Sequence, residues 1–570
     1  MIKMFRFYKT EVLKIKIMKS KYISLTLAFL TILFIMACKK SEVYENPYEG
    51  GKQPLGISLS LTTAPVPQEA TGGSTVTFAA TGLLPYKDLA VFSFNGQKAE
   101  ILSITETGIT VKVPEDASTG VATLSINDQV FFGPRFKVSG KISIDPEFRV
   151  SGGANRDIFA YYPLTDDRFI FLGAFTDYDG KGIITPVNRI ARVFKNGSAD
   201  ISFRSGGADG SLYGIAPLED KYITAGSFSG FYFNAGRSIL TNINNITQLS
   251  ASGEVDSVLV DTYSTNHSLA PGIPATGKKK AVPAFNGGTN STIGKIYSYQ
   301  NKLTATGNFK YYVSKRYDIS RKPVIISGVT LYADSIVTDS VETPQVVRFN
   351  ADGSLDKTFR FNSANNMGLP AGNGFVSSSY MQADGKLIVV GSFNKFDELP
   401  AGRIVRLNLT GTVDPVFNSG TGADQSIGSI TYNPLNRKYL ITGSFTSYNG
   451  VPANGIALLN EDGSIDQSFV SKGFSSDGGA TFAKQLSNGM IVVSGVFSTY
   501  NGIRRSGFMV LTPTGDLAKG YNAIGSIKGY VNDLYETTNS TGQMAVMLIG
   551  SFSQIDGTTA NNITRLVFEK

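Results

Sequence analysis

Short apolar runs separated by turn residues fill most of the chain after residue 56. Apolar and polar positions alternate in many of these runs, as in Val76-Thr77-Phe78 and Ile109-Thr110-Val111, which is the period-two pattern of half-buried strands. Asn95-Gly96 and Asp384-Gly385 follow such runs and supply the positive φ that tight hairpins need. The pattern predicts an all-β fold built from hairpins.

A Gly-x-Phe motif follows a short apolar strand seven times. Successive motifs are 52 to 55 residues apart, except for two spacings of 81 and 84 residues. The spacing predicts a repeat of about 52 residues with two enlargements. The motifs begin at Gly173, Gly226, Gly307, Gly391, Gly443, Gly495 and Gly550.

An aspartate marks the other half of the repeat, with a phenylalanine, or another apolar or aromatic residue, three to five positions after it. It begins at Asp145, before the first Gly-x-Phe, and none follows the last Gly-x-Phe. An open array would leave two sheet edges unpaired. We therefore predict that the N-terminal half-repeat pairs with the C-terminal one and closes a ring of seven units. The aspartates are Asp145, Asp200, Asp256, Asp356, Asp414, Asp466 and Asp516.

Residues 141–570 resemble the delta-60 repeat family of bacterial β-propellers. The resemblance rests on the strand-Gly-Ser-Phe motif and on segments such as Val347-Arg348-Phe349-Asn350-Ala351-Asp352-Gly353-Ser354-Leu355-Asp356. It is strongest over residues 345–520 and weakest near Asp256 and Asp516. It implies a seven-bladed β-propeller over residues 140–570.

Residues 56–139 show a different strand pattern and resemble the IPT/TIG immunoglobulin-like family. The matching segments are Val76-Thr77-Phe78, Val91-Phe92-Ser93-Phe94-Asn95-Gly96 and Ile109-Thr110-Val111-Lys112-Val113-Pro114. The resemblance implies a small immunoglobulin-like sandwich that serves as a spacer or a binding module. No chemistry is evident in this segment.

The N-terminal region contains an uncharged run of 16 residues, Tyr22 to Ala37, which is preceded by Lys19 and Lys21. A membrane helix needs about 20 residues, and a signal-peptide core needs fewer. The run ends Ile35-Met36-Ala37-Cys38 and resembles a bacterial lipobox. The resemblance implies that Cys38 is acylated and anchors the protein in outer-membrane lipid. An N-terminal anchor with a chance cysteine is the alternative.

These features divide the N-terminal region into two segments. Residues 1–37 are predicted to be a lipoprotein signal peptide whose true start is Met18, and residues 38–55 are predicted to be a tether. Lys39 follows the cysteine, which in the lipoprotein family argues against retention in an inner membrane. The expected location is the outer membrane, facing outside.

Charge and composition exclude several classes of function. The net charge of +8 falls to +2 without residues 1–37, and this near-neutral remainder lacks the basic field of a nucleic-acid binder. One cysteine and one histidine exclude a disulfide and a zinc or iron–sulfur site. His267 has no nucleophile motif near it, so we expect no cofactor and no enzyme activity.

The recurrence of the motifs favours structural roles. We expect the Gly of Gly-x-Phe to allow a close backbone approach, the Phe to pack between repeats, and the Asp to accept backbone N–H groups in a turn. Tyr178, Tyr448 and Tyr500 follow three of the motifs and precede an Asx-Gly pair. Packing between repeats is favoured over ligand stacking for these rings.

Segments that interrupt a repeat are the stronger candidates for ligand binding. Two insertions are predicted, near residues 260–300 and 310–345, and they flank one repeat. We expect the two insertions to form a shared rim over one face of the fold. The alternative is that they are surface loops that bind no ligand. Removing residues 310–345 is expected to leave the fold intact. The candidate ligand-binding residues are Phe231, Tyr232, Phe233, Tyr311, Tyr312, Tyr317 and Tyr332.

The combination of lipobox, sandwich and propeller resembles Bacteroidota lipoproteins that accompany starch-utilisation-type (SusC/SusD) uptake systems. That resemblance implies binding of a polymeric nutrient, either glycan or peptide, for a TonB-dependent transporter. A protein-interaction or adhesion scaffold is a second hypothesis, and a polysaccharide-degrading hydrolase is a third.

Overall fold

The computed structural model of the 570-residue chain describes residues 54–148, 150, 152–182, 187–233, 238–261, 279–317, 321–326, 328–334 and 336–569. The predicted signal peptide, Cys38, most of the tether and His267 lie outside these residues. Ser58–Lys570 form one compact unit. The described residues are all-β apart from one 3-10 turn, Leu84–Tyr86, and they include no helix that is long and apolar enough to cross a membrane.

Two sheets that pack face to face form the first part of this unit. Four phenylalanines fill the space between them, with ring centroids 4.9 to 5.8 Å apart: Phe78, Phe92, Phe94 and Phe136. The sheet orders are β1-β3-β7-β6 and β2-β9-β8-β4-β5, and the strands are β1 (Ser58–Leu59), β2 (Glu69–Ala70), β3 (Thr75–Thr81), β4 (Val91–Phe94), β5 (Gln97–Lys98), β6 (Glu100–Ile104), β7 (Gly108–Lys112), β8 (Gly120–Ile126) and β9 (Gln129–Val138).

The remaining strands alternate between longer members of three-stranded sheets and short hairpins. The first half comprises β10 (Ile142–Ile144), β11 (Ile158–Pro163), β12 (Phe169–Gly173), β13 (Ile190–Val193), β14 (Ser211–Leu218), β15 (Lys221–Ser227), β16 (Phe231–Tyr232), β17 (Ile239–Leu240), β18 (Ile246–Leu249), β19 (Ser257–Asp261), β20 (Lys279–Pro283), β21 (Gly288–Thr289), β22 (Ile293–Tyr299), β23 (Lys302–Gly307), β24 (Tyr311–Arg316), β25 (Arg321–Ile326), β26 (Val329–Asp334), β27 (Val337–Glu342) and β28 (Val346–Phe349). The second half comprises β29 (Phe361–Asn362), β30 (Met367–Gly368), β31 (Val376–Met381), β32 (Leu387–Gly391), β33 (Lys395–Phe396), β34 (Leu399–Pro400), β35 (Ile404–Leu407), β36 (Ile427–Asn433), β37 (Lys438–Gly443), β38 (Ser447–Tyr448), β39 (Val451–Pro452), β40 (Ile456–Asn460), β41 (Gly479–Gln485), β42 (Ile491–Val496), β43 (Thr499–Tyr500), β44 (Ile503–Arg504), β45 (Phe508–Leu511), β46 (Ile527–Thr538), β47 (Met544–Ile555), β48 (Thr558–Thr559) and β49 (Ile563–Phe568).

Seven antiparallel sheets of the described residues share one topology, with an inner, a middle and an outer strand in chain order. The inner strands of successive sheets contact each other, and the last contacts the first. In chain order, sheets 1 to 7 are β11-β12-β13, β14-β15-β18, β22-β23-β28, β31-β32-β35, β36-β37-β40, β41-β42-β45 and β46-β47-β49.

Strand β10, the first strand after the sandwich, joins the start of the repeat region to its end. It pairs antiparallel with β49, with Ser143 opposite Val567, so sheet 7 contains both ends of the repeat region. The pairing of the N-terminal half-repeat with the C-terminal one is as predicted, and an ion pair between Arg565 of β49 and Asp145, at 2.7 Å, accompanies it.

The core lies between neighbouring sheets. The middle strands β12 and β32 are buried along their whole length because both faces of each sheet pack against a neighbour. This explains why these strands read as continuous apolar runs instead of alternating ones. Between sheets 4 and 5, for example, Ile388 and Val390 share a cluster with Ile430 and Tyr439.

Both predicted insertions form hairpins. Strands β24 and β27 pair over six residues, and β25 pairs with β26 beyond them; we call Tyr311–Glu342 the long arm. Strands β19 and β20 form the other hairpin, and residues 262–278 between them are not described. Ile293–Tyr299, within the predicted 260–300 insertion, is the inner strand of sheet 3.

The sandwich is held directly against sheets 6 and 7. The backbone N–H of Thr119 donates to the carbonyl of Ala523 at 2.9 Å, and Arg505 donates to the carbonyl of Asp116 at 3.1 Å. Gly525 approaches Thr119 so closely that a Cβ would lie 1.7 Å from its carbonyl oxygen. The two parts of the unit therefore make backbone-to-backbone contact.

Candidate functional site

The seven Gly-x-Phe glycines lie where each middle strand ends against its inner strand. A Cβ on any of them would lie 1.9 to 2.3 Å from a backbone carbonyl oxygen of that inner-strand segment. The predicted close backbone approach is thus confirmed. Only glycine fits because the carbonyl already occupies the space of a side chain.

A register shift follows at the same place in every sheet. The inner-strand residue that pairs with the Gly is followed by one residue that the middle strand skips. Such bulges re-aim a side chain away from the ladder. None of the skipped residues is buried, and together they define what we call the mouth: Phe159, Tyr213, Gly294, Ser377, Gly428, Thr481 and Asn532.

The mouth is chemically uneven. Phe159 and Tyr213, on neighbouring sheets, have ring centroids 4.9 Å apart at an interplanar angle of 32°. Sheets 3 to 6 contribute only small residues to the mouth. Next to Phe159, Asn532 donates to the carbonyl of Ile158 at 2.9 Å and to the Ser551 hydroxyl at 3.2 Å, so its amide is fixed.

A third aromatic residue, on sheet 7, lies two residues before the mouth residue Asn532. Tyr530 is 40% exposed, and its carbonyl is the group that Gly550 approaches. Tyr530, Phe159 and Tyr213 therefore lie on the consecutive sheets 7, 1 and 2; we call them the aromatic arc. Phe375 is 70% exposed at the corresponding position of sheet 4, away from the arc.

A cavity of about 700 Å³ lies between sheets 5 and 6 on the side of the small mouth residues. Gly428 and Thr481 of the mouth line it, together with Ser444, Asn454 and Phe474. Every residue in its lining is described, and none of them is charged. We call it the neutral cavity.

An equivalent cavity of about 450 Å³ lies between sheets 7 and 1. It also contains residues of a Gly-x-Phe motif, Ser551 and Phe552, so it opens at the same edge of the sheets. Its lining includes Asp177 and Lys528. The two cavities share position in the repeat but differ in charge.

Three inner strands meet around Lys484. Its Nζ lies 3.1 Å from Asp533 Oδ1, 2.8 Å from the carbonyl of Leu534 and 3.3 Å from the Tyr161 hydroxyl. Burial would lower the pKa of Lys484, but Asp533 and Tyr161 outweigh burial and raise it. Burial raises the pKa of Tyr161 to about 12. Neither group is therefore suited to proton transfer near neutral pH.

The Asp motif makes structural contacts. As predicted, these aspartates accept backbone hydrogen bonds in a turn. The N–H of the second residue after the aspartate donates to its Oδ1 at 2.9 to 3.2 Å at five positions: Asp145, Asp200, Asp356, Asp414 and Asp466. The Phe of the motif packs on the turn glycine of the next sheet, so a Cβ on Gly463 would lie 2.6 Å from Phe417.

Sequence reasoning did not identify the cationic partner of each aspartate. Arg or Lys side chains lie 2.7 to 3.5 Å from the seven carboxylates, from positions whose spacing differs among the repeats. In chain order of the aspartates, these cations are Arg565, Arg192, Lys221, Arg348, Arg406, Lys438 and Lys472, and Arg168 also lies 2.6 Å from Asp200. Within the described residues, no group of three or more His, Cys, Asp or Glu side chains is arranged to hold a metal ion.

Two of the predicted ligand-binding residues are core residues. Phe231 is 0% exposed and Tyr312 is 6% exposed, and the Tyr312 hydroxyl donates to the carbonyl of Gly353. Tyr448 and Tyr500 make the same bond to Gly463 and Gly515. All of them lie three residues after the Phe of Gly-x-Phe, so Phe231 and Tyr312 occupy a packing position of the repeat and offer no surface to a ligand.

The other predicted residues are partly exposed or lie in the long arm. Tyr232 and Phe233 follow Phe231 and are half-buried, as are Tyr311 and Tyr317. The Lys310 ammonium lies 5.3 Å from the Tyr311 ring centroid, and burial raises the pKa of Tyr317 to about 12. Tyr332 lies in β26, opposite Pro323. Strand β21 pairs with β24, which joins the segment after the first hairpin to the long arm.

Comparison with known protein families gives two matches. Residues 34–134 match a domain of unknown function (DUF5008). Residues 332–359, 382–417, 436–469 and 486–517 match a β-propeller domain of unknown function (DUF5122). Each of the latter segments contains an Asp motif and the last three also contain a Gly-x-Phe motif, so these repeats are similar to those of a β-propeller domain.

No curated protein matches the chain, and the similar solved structures are distant. The WD40 β-propeller domain of Doa1 has 11% identity and a TM-score of 0.35, with 75% of this chain and 98% of that chain covered. An auxiliary nutrient binding protein from Bacteroides thetaiotaomicron VPI-5482 has 10% identity and a TM-score of 0.23, with 91% and 99% covered. Neither likeness indicates a function for this chain.

Proposed function

We propose that this protein is a surface-exposed outer-membrane lipoprotein that binds a polymeric nutrient, glycan or peptide, for a TonB-dependent uptake system. In this proposal, acylated Cys38 and a tether carry an IPT/TIG-like sandwich and a seven-bladed propeller. The role is binding, without catalysis, and a SusC/SusD-like transporter is the expected partner.

The uneven mouth is the observation that carries the proposal. Partly exposed aromatic rings on one side and an uncharged cavity on the other offer both apolar contact and hydrogen bonding to a ligand that spans several sheets. Binding sites are concave, mostly apolar surfaces with a few polar groups that fix orientation. In the Lys484 cluster, in contrast, the raised pKa values of Lys484 and Tyr161 make neither group suited to proton transfer near neutral pH.

The N-terminal sequence supports the proposed anchoring. Cys38 is the only cysteine of the chain and directly follows the uncharged run. Acyl chains at this position would hold the protein at a membrane surface. The direct contact between the sandwich and sheets 6 and 7 supports a single rigid body that the tether presents.

A binding array tests the proposed ligand class. Protein that begins after Cys38 is offered plant, host and microbial glycans and peptide pools, with its fold checked by circular dichroism. Saturable binding of one class supports nutrient capture. A clean array with folded protein contradicts it and favours a scaffold for a protein partner, which a pull-down from outer membranes would identify.

Fractionation tests the anchor separately. Cys38→Ala is expected to abolish acylation and to move the protein out of the outer-membrane fraction. Ser41→Ala, which changes a nearby residue of the predicted tether, serves as the control. Unchanged outer-membrane fractionation of Cys38→Ala would contradict lipid anchoring at this residue.

A further inference from the structure

The neutral cavity is notable for the chemistry of its lining. Hydroxyl groups come from Ser444, Thr446, Ser476 and Thr481, an amide comes from Asn454, and several glycines leave backbone accessible. Asp424 and Asp477 accept hydrogen bonds from the lining residues Thr446 and Ser475, and no cationic side chain lines the cavity. An anionic ligand group placed here would therefore lose hydration without gaining an opposite charge. The cavity disfavours an anionic ligand and favours one that carries many hydroxyl groups.

The aromatic arc complements this cavity from sheets 7, 1 and 2, the first of which neighbours sheet 6. Phe159 and Tyr213 present half-buried rings that are tilted by 32° to each other, and Tyr530 is an exposed ring on sheet 7. Aromatic rings provide a large, rigid apolar surface with a polar group only at its edge. A sugar ring has the matching shape, since its C–H groups form an apolar face and its hydroxyl groups lie around the rim.

The backbone at the mouth argues against a peptide ligand. An extended peptide commonly binds a protein by adding a strand to a regular sheet edge. Each inner strand here has a register shift at the mouth, which interrupts the regular row of N–H and carbonyl groups that an added strand would need. The neutral cavity also offers no charged group to bind peptide termini or charged side chains.

We propose that the mouth binds a neutral glycan, whose sugar rings stack on the aromatic arc while its hydroxyl groups hydrogen bond within the neutral cavity. This inference rests on the proposed binding function and specifies its ligand and its site. The cavity volume of about 700 Å³ lies within the usual range for ligand sites, about 300–1,000 Å³.

Calorimetric titration with defined probes tests the proposal. The probes are neutral hexasaccharides of glucose, mannose and xylose, hexasaccharides of uronic acids, and uncharged hexapeptides. We expect saturable binding of at least one neutral hexasaccharide and at least tenfold weaker binding of every uronate and peptide probe. Preferred binding of a uronate or a peptide would overturn this inference while leaving the nutrient-binding function standing, and binding of no probe or array ligand would contradict both.

Three variants test whether the aromatic arc and the neutral cavity form the binding site. Phe159→Ala with Tyr213→Ala removes the two adjacent rings, and Thr481→Arg puts a charged side chain into the neutral cavity from an exposed position. Each is expected to weaken binding of the neutral hexasaccharide at least tenfold. Phe375→Ala, at the corresponding edge of sheet 4 but outside the arc, should change it less than twofold.

The variants also separate folding from binding. Tyr213→Phe keeps the ring and is expected to retain the affinity. Because Thr481 is exposed, its variant remains a valid test if the double alanine variant proves unstable. Undiminished affinity in folded Thr481→Arg and folded Phe159→Ala/Tyr213→Ala would overturn the proposed site.

Discussion

A methyl group added to Gly391 would lie 1.9 Å from the carbonyl oxygen of Phe375. The contact is to backbone, so relief requires the inner strand of sheet 4 to move. The same approach occurs at all seven Gly-x-Phe glycines. Single residues of this kind set where the inner strand bends and therefore which residue is directed to the mouth.

Replacing Gly391 tests this constraint. Gly391→Ala is expected to lower the free energy of unfolding by about 2–3 kcal/mol, since it overpacks a site that cannot expand. Gly479→Ala is the control, because Gly479 has open space around its Cβ position and no positive φ, and it should change stability by less than about 0.5 kcal/mol. Urea denaturation measures both, and equal losses would contradict the backbone-contact explanation.

The aspartates of the repeat link single residues to acid stability. Burial opposes ionisation of Asp356, but hydrogen bonds from Thr358 and Arg348 outweigh it, so the pKa of Asp356 lies below its ordinary value. The pKa values of Asp200, Asp414 and Asp466 are lowered in the same way. Because the folded-state pKa is the lower one, this stabilisation is present above the unfolded pKa of about 4 and disappears as pH falls through the folded-state value.

Stability should therefore decline as the pH falls from about 5 to 2. Asp356→Asn is expected to cost about 1.5–3 kcal/mol at pH 7, the usual cost of losing a charged hydrogen bond, and to reduce the decline at low pH. Asp384→Asn changes an exposed turn residue without an ion pair and serves as the control. Denaturant titrations at several pH values measure both, and an unaltered pH slope for Asp356→Asn would contradict the linkage.

At the scale of elements, the repeat consists of a sheet and, after most Gly-x-Phe motifs of the described residues, a hairpin. Most of these hairpins are short, such as β38–β39 and β43–β44. Sheet 3 has the long arm instead. The base of the arm nevertheless keeps the packing contacts of the repeat, since Tyr312 donates to Gly353 and its backbone N–H donates to the Thr343 hydroxyl at 3.0 Å.

Shortening the arm tests which part of it belongs to the core. Arg316 pairs with Val337, so residues 317–336 are replaced by Asn-Gly to join β24 and β27 directly. This variant should fold with an unchanged melting temperature by circular dichroism. From sequence alone, deleting residues 310–345 is expected to leave the fold intact, but the deletion removes the contacts of Tyr312 and Thr343 and should therefore lower the melting temperature. Equal melting temperatures for the two deletions would show that the base of the arm does not stabilise the fold.

For the whole molecule, we expect the pairing of the two ends of the repeat region to stabilise the fold. Strand β10 and Asp145 complete sheet 7 through β49 and Arg565, although more than 400 residues separate them along the chain. Without this pairing, sheet 7 would expose the edge of β49. Each sheet also relies on both neighbours for its core.

A disulfide across the closure tests this arrangement in solution. Ser143→Cys with Val567→Cys places two cysteines opposite each other in protein that begins after Cys38 and has no other cysteine. Oxidation should cross-link them and raise the melting temperature. Ser143→Cys with Thr564→Cys, three residues out of register, should not cross-link efficiently, and comparable cross-linking of both pairs on non-reducing gels would contradict the register.

The sequence by itself determined the strands, the turns and the repeat, because each of these depends on residues that are close together along the chain. Strand alternation, the turn pairs and the recurring motifs predicted an all-β repeat, the close approach at the Gly-x-Phe glycines and the bonds of the aspartates to their turns. Counting the half-motifs also predicted the pairing of the two ends. These inferences succeed because strand period, turn geometry and repeat length are properties of short segments.

Only the tertiary structure decided which residues line the mouth and which cation pairs with each aspartate. The skipped residue lies 13 to 18 positions before the Gly of its motif, because the turn between inner and middle strands varies in length, so no fixed spacing marks it in the sequence. The sequence also favoured Phe231 and Tyr312 as ligand residues, whereas their constant distance from Gly-x-Phe marks them as core. Which side chains share a surface depends on register and on contacts between sheets, and both arise only when distant segments pack together.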